Sequence, residues 1–369
     1  MTAEIMAKFL HKRMKKRTAG IFFSLCFFSL FILLSLPVLA QTPPASPAGE
    51  GDLRLTTSPL PINLKTTPGQ TVSASLKVKN DGTKTEKIKV SLMKFKADGT
   101  TGAPMLLEKE TGDSFFDWVT FSDPTFTLLV NEWKTITATF MVPDTASFGY
   151  YYAIVFSRAN EAVIPGERQT VIQGGTATLV LLEVQVPNAR KEVVLQQFSA
   201  DKGLYEFLPA TFAVKLRNTG NVHVAPRGNI FLSQRGKDIA TLEINPGKGS
   251  ILPDSPRDFK EQWTDGFPVY ALKMKDGQAE LDAQGNQIRK LKWDWKDASK
   301  LRWGKYTAKL LLVYDDGQRD VPIEGEVSFW VVPWRLLGGA LLIVIFVLIG
   351  LKSTLQSWYK RIRNLLGKE

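Results

Sequence analysis

The stretch Thr71-Val72-Ser73-Ala74-Ser75-Leu76-Lys77-Val78-Lys79-Asn80-Asp81-Gly82 decides the fold. Its apolar residues Val72, Ala74, Leu76 and Val78 fall on one side of an extended chain, and Ser73, Ser75, Lys77 and Lys79 fall on the other. That period of two marks a strand buried on one face. The Asn-x-Gly that follows is a turn signal, because asparagine bonds its own backbone and glycine accepts the dihedrals of a tight turn. The same alternation runs through 86–95, 135–142, 150–156, 176–186, 211–217, 305–314 and 325–332. Between the two apolar ends of the chain, no segment sustains a helical period.

The stretch has a counterpart. Leu216-Arg217-Asn218-Thr219-Gly220 ends an alternating strand in an Asn-x-Gly turn, as Val78-Lys79-Asn80-Asp81-Gly82 does. Gly149-Tyr150-Tyr151-Tyr152-Ala153 recurs as Gly304-Lys305-Tyr306-Thr307-Ala308, sharing Gly-x-Tyr-x-Ala ahead of an apolar strand. Asn80 precedes Gly149 by 69 residues and Asn218 precedes Gly304 by 86, so the second copy is longer by 17. The excess is expected within 273–295, where Asp276-Gly277 and Gly285-Asn286 read as added hairpin turns. Two copies of such a unit imply an all-β fold of two tandem immunoglobulin-like antiparallel β-sandwiches, 52–188 and 189–332, meeting near Pro187-Asn188-Ala189-Arg190. The shared tyrosine is expected to put its ring in the core and its hydroxyl on backbone.

The charge explains the ends of the chain. Of a net +11, residues 1–20 supply +5 (six Lys or Arg against Glu4) and residues 352–369 supply +4 (five against Glu369), leaving +2 for the 331 residues between. A body so nearly neutral has no basic excess for phosphates, which excludes nucleic acid as a partner. Each basic cluster abuts an apolar run, as cytoplasmic flanks of membrane segments do. The run 21–36 leads to Pro37-Val38-Leu39-Ala40-Gln41, so residues 1–40 read as a signal peptide cleaved between Ala40 and Gln41. Cys26, the sole cysteine, leaves with it. Residues 41–51 form a Pro/Ala/Gly-rich leader. The run 336–351, flanked by Trp334, Trp358 and Tyr359, reads as a single transmembrane helix over 333–355. Residues 356–369 form a basic amphipathic cytoplasmic tail, and Leu351, Leu355, Trp358, Ile362 and Leu365, running from the end of the span into it, make an apolar stripe suited to the inner leaflet. The bulk of the chain is then outside the cytoplasm. An exported domain of this size with no disulfide and no Asn-x-Ser/Thr site looks bacterial.

Catalytic and cofactor signals are missing. His223 is the only histidine past the signal and follows a turn, where a packing role fits better than a general base. Asp315-Asp316-Gly317 lacks the alternating acids of a calcium loop and reads as a turn. Gly247-Lys248-Gly249-Ser250 resembles a phosphate cradle, yet no helical pattern follows it. No cofactor, metal or catalytic residue is assigned, and the chain reads as non-enzymatic. Trp293-Asp294-Trp295 puts two indoles on one face of any strand containing them. Exposed, they are a candidate surface for sugars or a protein partner; buried, they cover the sandwich.

The residues from Asn218 through Gly228, followed by Ile251-Leu252-Pro253, Arg257-Asp258-Phe259, Trp263 and Phe329-Trp330-Val331-Val332-Pro333-Trp334, carry a resemblance, as do Ser58-Pro59-Leu60 and Thr67-Pro68-Gly69-Gln70-Thr71. Together they resemble bacterial membrane-tethered surface proteins related to the WxL-interacting family. The resemblance implies a cell-membrane protein that binds peptidoglycan through its membrane-distal sandwich and an envelope or surface protein through the proximal one. The alternative is an envelope assembly or export factor of the chaperone type, pairing sandwich edge strands with client strands. Such a factor needs unpaired edges rather than an aromatic platform.

Overall fold

The computed structural model describes residues 53–160, 164–165, 172–173, 175–275 and 277–366, with side chains as far as Tyr359. The expected signal peptide, the expected cleavage pair Ala40 and Gln41, and the leader lie outside these residues.

The first sandwich begins with β1 (Leu55–Ser58), which pairs with β3 (Thr71–Asn80). Pro59 and Pro61 then break the ladder, having no N–H to give it. The chain crosses to the other layer as β2 (Ile62–Thr66). The remaining strands are β4 (Glu86–Ala97), β5 (Pro104–Leu107), β6 (Val119–Phe121), β7 (Thr125–Leu128), β8 (Trp133–Met141), β9 (Phe148–Arg158), the short pair β10 (Ile164–Pro165) and β11 (Ile172–Gln173), and β12 (Gly175–Val184). One sheet runs β1-β3-β8-β6 and the other β2-β12-β9-β4-β5, with β2 parallel to β12. Leu76, Val78, Ile88, Ile136, Phe140, Tyr152, Ile154, Phe156, Val180 and Leu182 fill the space between them.

The second sandwich repeats the plan. Its strands are β13 (Val193–Ala200), β14 (Leu204–Tyr205), β15 (Ala210–Asn218), β16 (Arg227–Gln234), β17 (Lys237–Ile244), β18 (Pro256–Trp263), β19 (Val269–Leu272), β20 (Met274–Lys275), β21 (Gln278–Ala279), β22 (Arg289–Lys292), β23 (Gly304–Asp315) and β24 (Asp320–Val331). The sheets run β13-β15-β18 and β14-β24-β23-β16-β17, again with a short parallel strand, β14, against the last one. Trp263, Phe212, Tyr306, Leu312 and Phe329 are among its core residues. Burying a side chain of this class contributes roughly 1.5–3 kcal/mol, so the two alternating patterns are the main source of stability.

The repeated asparagines hold the repeat together. Asn80 donates from Nδ2 to the carbonyls of Lys84 and Leu128 and accepts at Oδ1 from the Gly82 N–H. Asn218 does the same with Val222, Ile251 and Gly220. Both are fully buried, so each satisfies backbone groups of its turn, and one carbonyl far along the chain, where water cannot.

The shared tyrosine departs from expectation in the first copy. Tyr306 enters the second core as expected, but Tyr151 faces away from the first, and its neighbour Tyr152 fills that core and donates to the Phe115 carbonyl. A slip of one residue along a strand moves a side chain to the other face. The stretch 273–295 holds the β20–β21 hairpin, with Gly277 at φ +80°, and a turn in which Asp282 Oδ1 accepts from the backbone of Gln284 and Asn286, both between the paired strands β19 and β22.

The chain ends in a helix, α1 (Trp334–Leu366), whose segment Trp334–Tyr359 is long and apolar enough to cross a membrane. It runs on without a break into the tail, reaching about 50 Å at 1.5 Å per residue. A separate tail helix lying flat on the inner leaflet would need an interruption that is not there.

Candidate functional site: a cleft between the sandwiches

One element departs from the half-buried pattern. In β12, Val180, Leu182 and Val184 enter the first core, while Ala177, Leu179 and Leu181 on the other face are apolar as well. A strand apolar on both faces is covered on both, and here the second cover comes from the next domain. Leu252, in the loop before β18, packs against Met93, Phe95, Ala153, Val155 and Leu181 on the outer face of the first sandwich. Beside this contact opens a cleft of about 420 Å³, walled by Phe95, Leu106, Ala177 and Leu179 on one side and by Gly249, Ser250 and Leu252 on the other.

Arg257 stands at one end of the cleft. Its Nη1 donates to the Ser250 carbonyl at 2.8 Å and its guanidinium lies 5.2 Å from the centre of the Phe259 ring, while its buried Nε has no hydrogen-bond partner. Burial lowers its pKa from the usual arginine value, opposed by the charge of Asp98. Two glycines make the seat. A Cβ at Gly102, in the β4–β5 hairpin, would fall 2.6 Å from the Arg257 side chain, and one at Gly249 would fall 2.5 Å from its guanidinium. The hairpin is held by Asp98, which accepts from the Thr100 and Gly102 N–H groups. It reaches across to the second sandwich, where the Asp258 N–H donates to the Thr100 carbonyl at 2.7 Å.

The other end of the cleft is bounded by Leu60 and Pro61, where β1 gives way to β2. The register there leaves an open edge. β2 pairs with β12 only from Val180 to Val184, whereas β9 pairs with it from Gly175 onward. Residues Gly175–Leu179 therefore have a strand neighbour on one side only among the described residues, and Ala177 and Leu179 of this segment line the cleft.

Behind the cleft the sandwiches meet at Tyr151 and His223, whose rings lie edge to face at 5.8 Å. Burial pushes the His223 pKa down to about 4 and raises that of Tyr151. His223 is thus a packing residue, as its sequence context suggests. The connector is tied down by an ion pair between Lys191 and Glu183 at 2.9 Å, both nearly buried.

Trp293 and Trp295 lie elsewhere. They are not on a strand: β22 ends at Lys292 and Trp295 opens the 3-10 turn Trp295–Lys300, yet the indoles still meet at 5.9 Å because both rest on Phe267. At 43% and 73% exposed they do not cover the sandwich, and the fold has both an open edge and an aromatic platform. Among the described residues no group of three or more His, Cys, Asp or Glu side chains is arranged to hold a metal ion.

Fold and cleft together define a protein of tandem immunoglobulin-like sandwiches with an apolar seam and an open strand edge between them. No family model and no curated protein matches the chain. Among solved structures it is similar to the class 5 fimbrial chaperone CfaA, at 13% identity over 74% of this chain and 98% of that one, with a TM-score of 0.34. It is also similar to the E. coli chaperone DraB, at 12% identity over 74% and 97% with a TM-score of 0.31. A further similarity is to the CsuC–CsuE chaperone–tip subunit complex of archaic chaperone-usher pili from Acinetobacter baumannii, at 12% over 56% and 89% with a TM-score of 0.30. Scores of this size extend no role to this chain, whose function has to be argued from its own geometry.

Nothing local in the sequence pairs Arg257 with Gly102 and Gly249, and Gly247-Lys248-Gly249-Ser250, which resembles a phosphate cradle, is the loop that seats this arginine. The one legible hint is the unbroken apolar run Leu179-Val180-Leu181-Leu182.

Proposed function

We propose that this chain is a non-enzymatic, membrane-anchored assembly factor that holds an extended segment of an envelope protein outside the cytoplasm. The segment adds as a strand to the open edge of β12 at Gly175–Leu179 and lays its apolar side chains into the cleft. The observation that carries this is the late start of β2 at Ile62, which leaves Gly175–Leu179 with no strand partner on one side among the described residues, beside an apolar groove. In strand addition, main-chain bonds give affinity and the side-chain pockets give selectivity. The α1 segment serves as the anchor, with the sandwiches outside and the basic tail inside. The peptidoglycan role implied by the family resemblance is not favoured, since the cleft walls are mainly apolar and offer few groups for sugar hydroxyls.

The test uses the full chain in detergent and short peptides that alternate valine with serine. Binding is expected for the plain peptide, and loss of binding for a peptide N-methylated on the edge that pairs, or for the variant Leu179→Glu. Equal binding of the N-methylated peptide would overturn strand addition, as would a glycan hydrolase activity retained in every variant.

A further inference from the structure

Exposed indoles gather at the end of the second sandwich from which α1 leaves. Trp330 is the penultimate residue of β24, Trp303 directly precedes Gly304, which pairs with Val331, and Trp334 opens the helix. Trp303 is 65% exposed and Trp330 51%. Trp293 and Trp295 stand at the same end: the ring of Trp293 is 6.5 Å from that of Phe207, two residues beyond Tyr205, which pairs with Val331. Leu204 and Leu301 add exposed apolar surface. Interleaved with them are the exposed cations Arg235, Lys296 and Lys305, which make no ion pair among the described residues, while Lys300 and Arg302 are engaged by Asp265. Apolar surface of this extent, rimmed by charge, marks an interaction face.

Its occupant follows from the connection. Only Val332 and Pro333 separate β24 from α1, and two residues reach at most ~7 Å. Arg335, in the first turn of α1, meets the nearly buried carboxylate of Glu206 at 3.4 Å and ties the helix to the sandwich. A bilayer crossed by α1 therefore has its surface at this end of the domain. Tryptophan favours that zone, since its apolar body and N–H suit the boundary of hydrocarbon and water, and nearby lysine and arginine suit anionic headgroups. We propose that the second sandwich docks on the membrane surface through Trp293, Trp295, Trp303 and Trp330, which holds the cleft at a fixed height and orientation above the lipid. This rests on α1 spanning the bilayer.

The test places spin labels on the full chain in vesicles of phosphatidylcholine with phosphatidylglycerol, in a Cys26→Ser background. The labels go on Lys296→Cys and Lys305→Cys at the proposed face, on Gln318→Cys at the opposite end of the sandwich, and on Leu348→Cys in mid-helix. The labels at 296 and 305 are expected to lose access to a water-soluble relaxant severalfold relative to that at 318, and to regain it when Trp295→Gln and Trp303→Gln are combined. If the label at 348 sits in lipid while those at 296 and 305 are as wet as the one at 318, docking is overturned and the anchor stands. A water-exposed label at 348 overturns both. Shielding at 296 that appears only when muropeptide or a client peptide is added, and not with lipid alone, assigns the face to another ligand and also overturns docking.

Discussion

Part of the stability this protein is expected to lose on acidification comes from one side chain, His223. It sits where the two sandwiches meet, edge-on to Tyr151, and burial holds its pKa at about 4 against an ordinary 6.5. Glu183 pulls the other way, while Lys191 and Lys65 add to the effect of burial. Between pH 6.5 and 4 the unfolded chain binds a proton that the folded one refuses. The stabilisation is thus complete above pH 6.5 and is lost as the pH falls toward 4. The full effect is ~3 kcal/mol, of which about 2 kcal/mol has gone by pH 5. The assay is denaturant unfolding of the full chain in detergent at pH 7.5 and pH 5, for the parent and for His223→Asn, which cannot titrate. Carboxylates whose pKa values are lowered, Asp98 and Asp113 among them, lose stability in both proteins on acidification, so the difference between the two isolates the histidine. The parent should lose about 2 kcal/mol more than the variant over this interval. Equal losses would refute the assignment of a buried neutral imidazole to the seam.

Two other outcomes follow from buried contacts. Asn218→Ala strands two carbonyls and one N–H in a fully buried turn and is expected to cost about 3–5 kcal/mol at roughly 1–3 kcal/mol per orphaned group with partial relaxation, read as a lower denaturant midpoint of the second sandwich. Leu252→Ala removes the side chain by which the second sandwich packs on the first, at a cost of roughly 2–4 kcal/mol. It should speed protease cutting between residues 185 and 192 while each core stays folded, and an unchanged cutting rate would show that the seam does not depend on it.

The strands with clean alternation, such as Thr71–Asn80 and Gly304–Asp315, are legible because one of their faces meets solvent. By contrast, Lys237–Ile244 and Pro256–Trp263 are rich in charge and read as nothing in particular; they become strands because β16 and β15 offer them partners. Three consecutive tyrosines, Tyr150 to Tyr152, could not reveal which one fills the core, since parity depends on where the strand begins.

By itself, the sequence determined the class of the protein: two all-β repeats marked by the Asn-x-Gly turns at Asn80 and Asn218, nearly neutral, and followed by one apolar run with a basic flank. These properties are local, written in periods of two residues and in composition. Tertiary structure alone decided the cleft. Leu252 and Arg257 meet Phe95, Gly102 and Leu181 from far along the chain, and the open edge at Gly175–Leu179 exists because a strand more than a hundred residues earlier begins pairing only at Ile62. No pattern in either segment records that meeting, because register and domain packing are set by contacts between segments, whereas periodicity reports only on each segment's own faces.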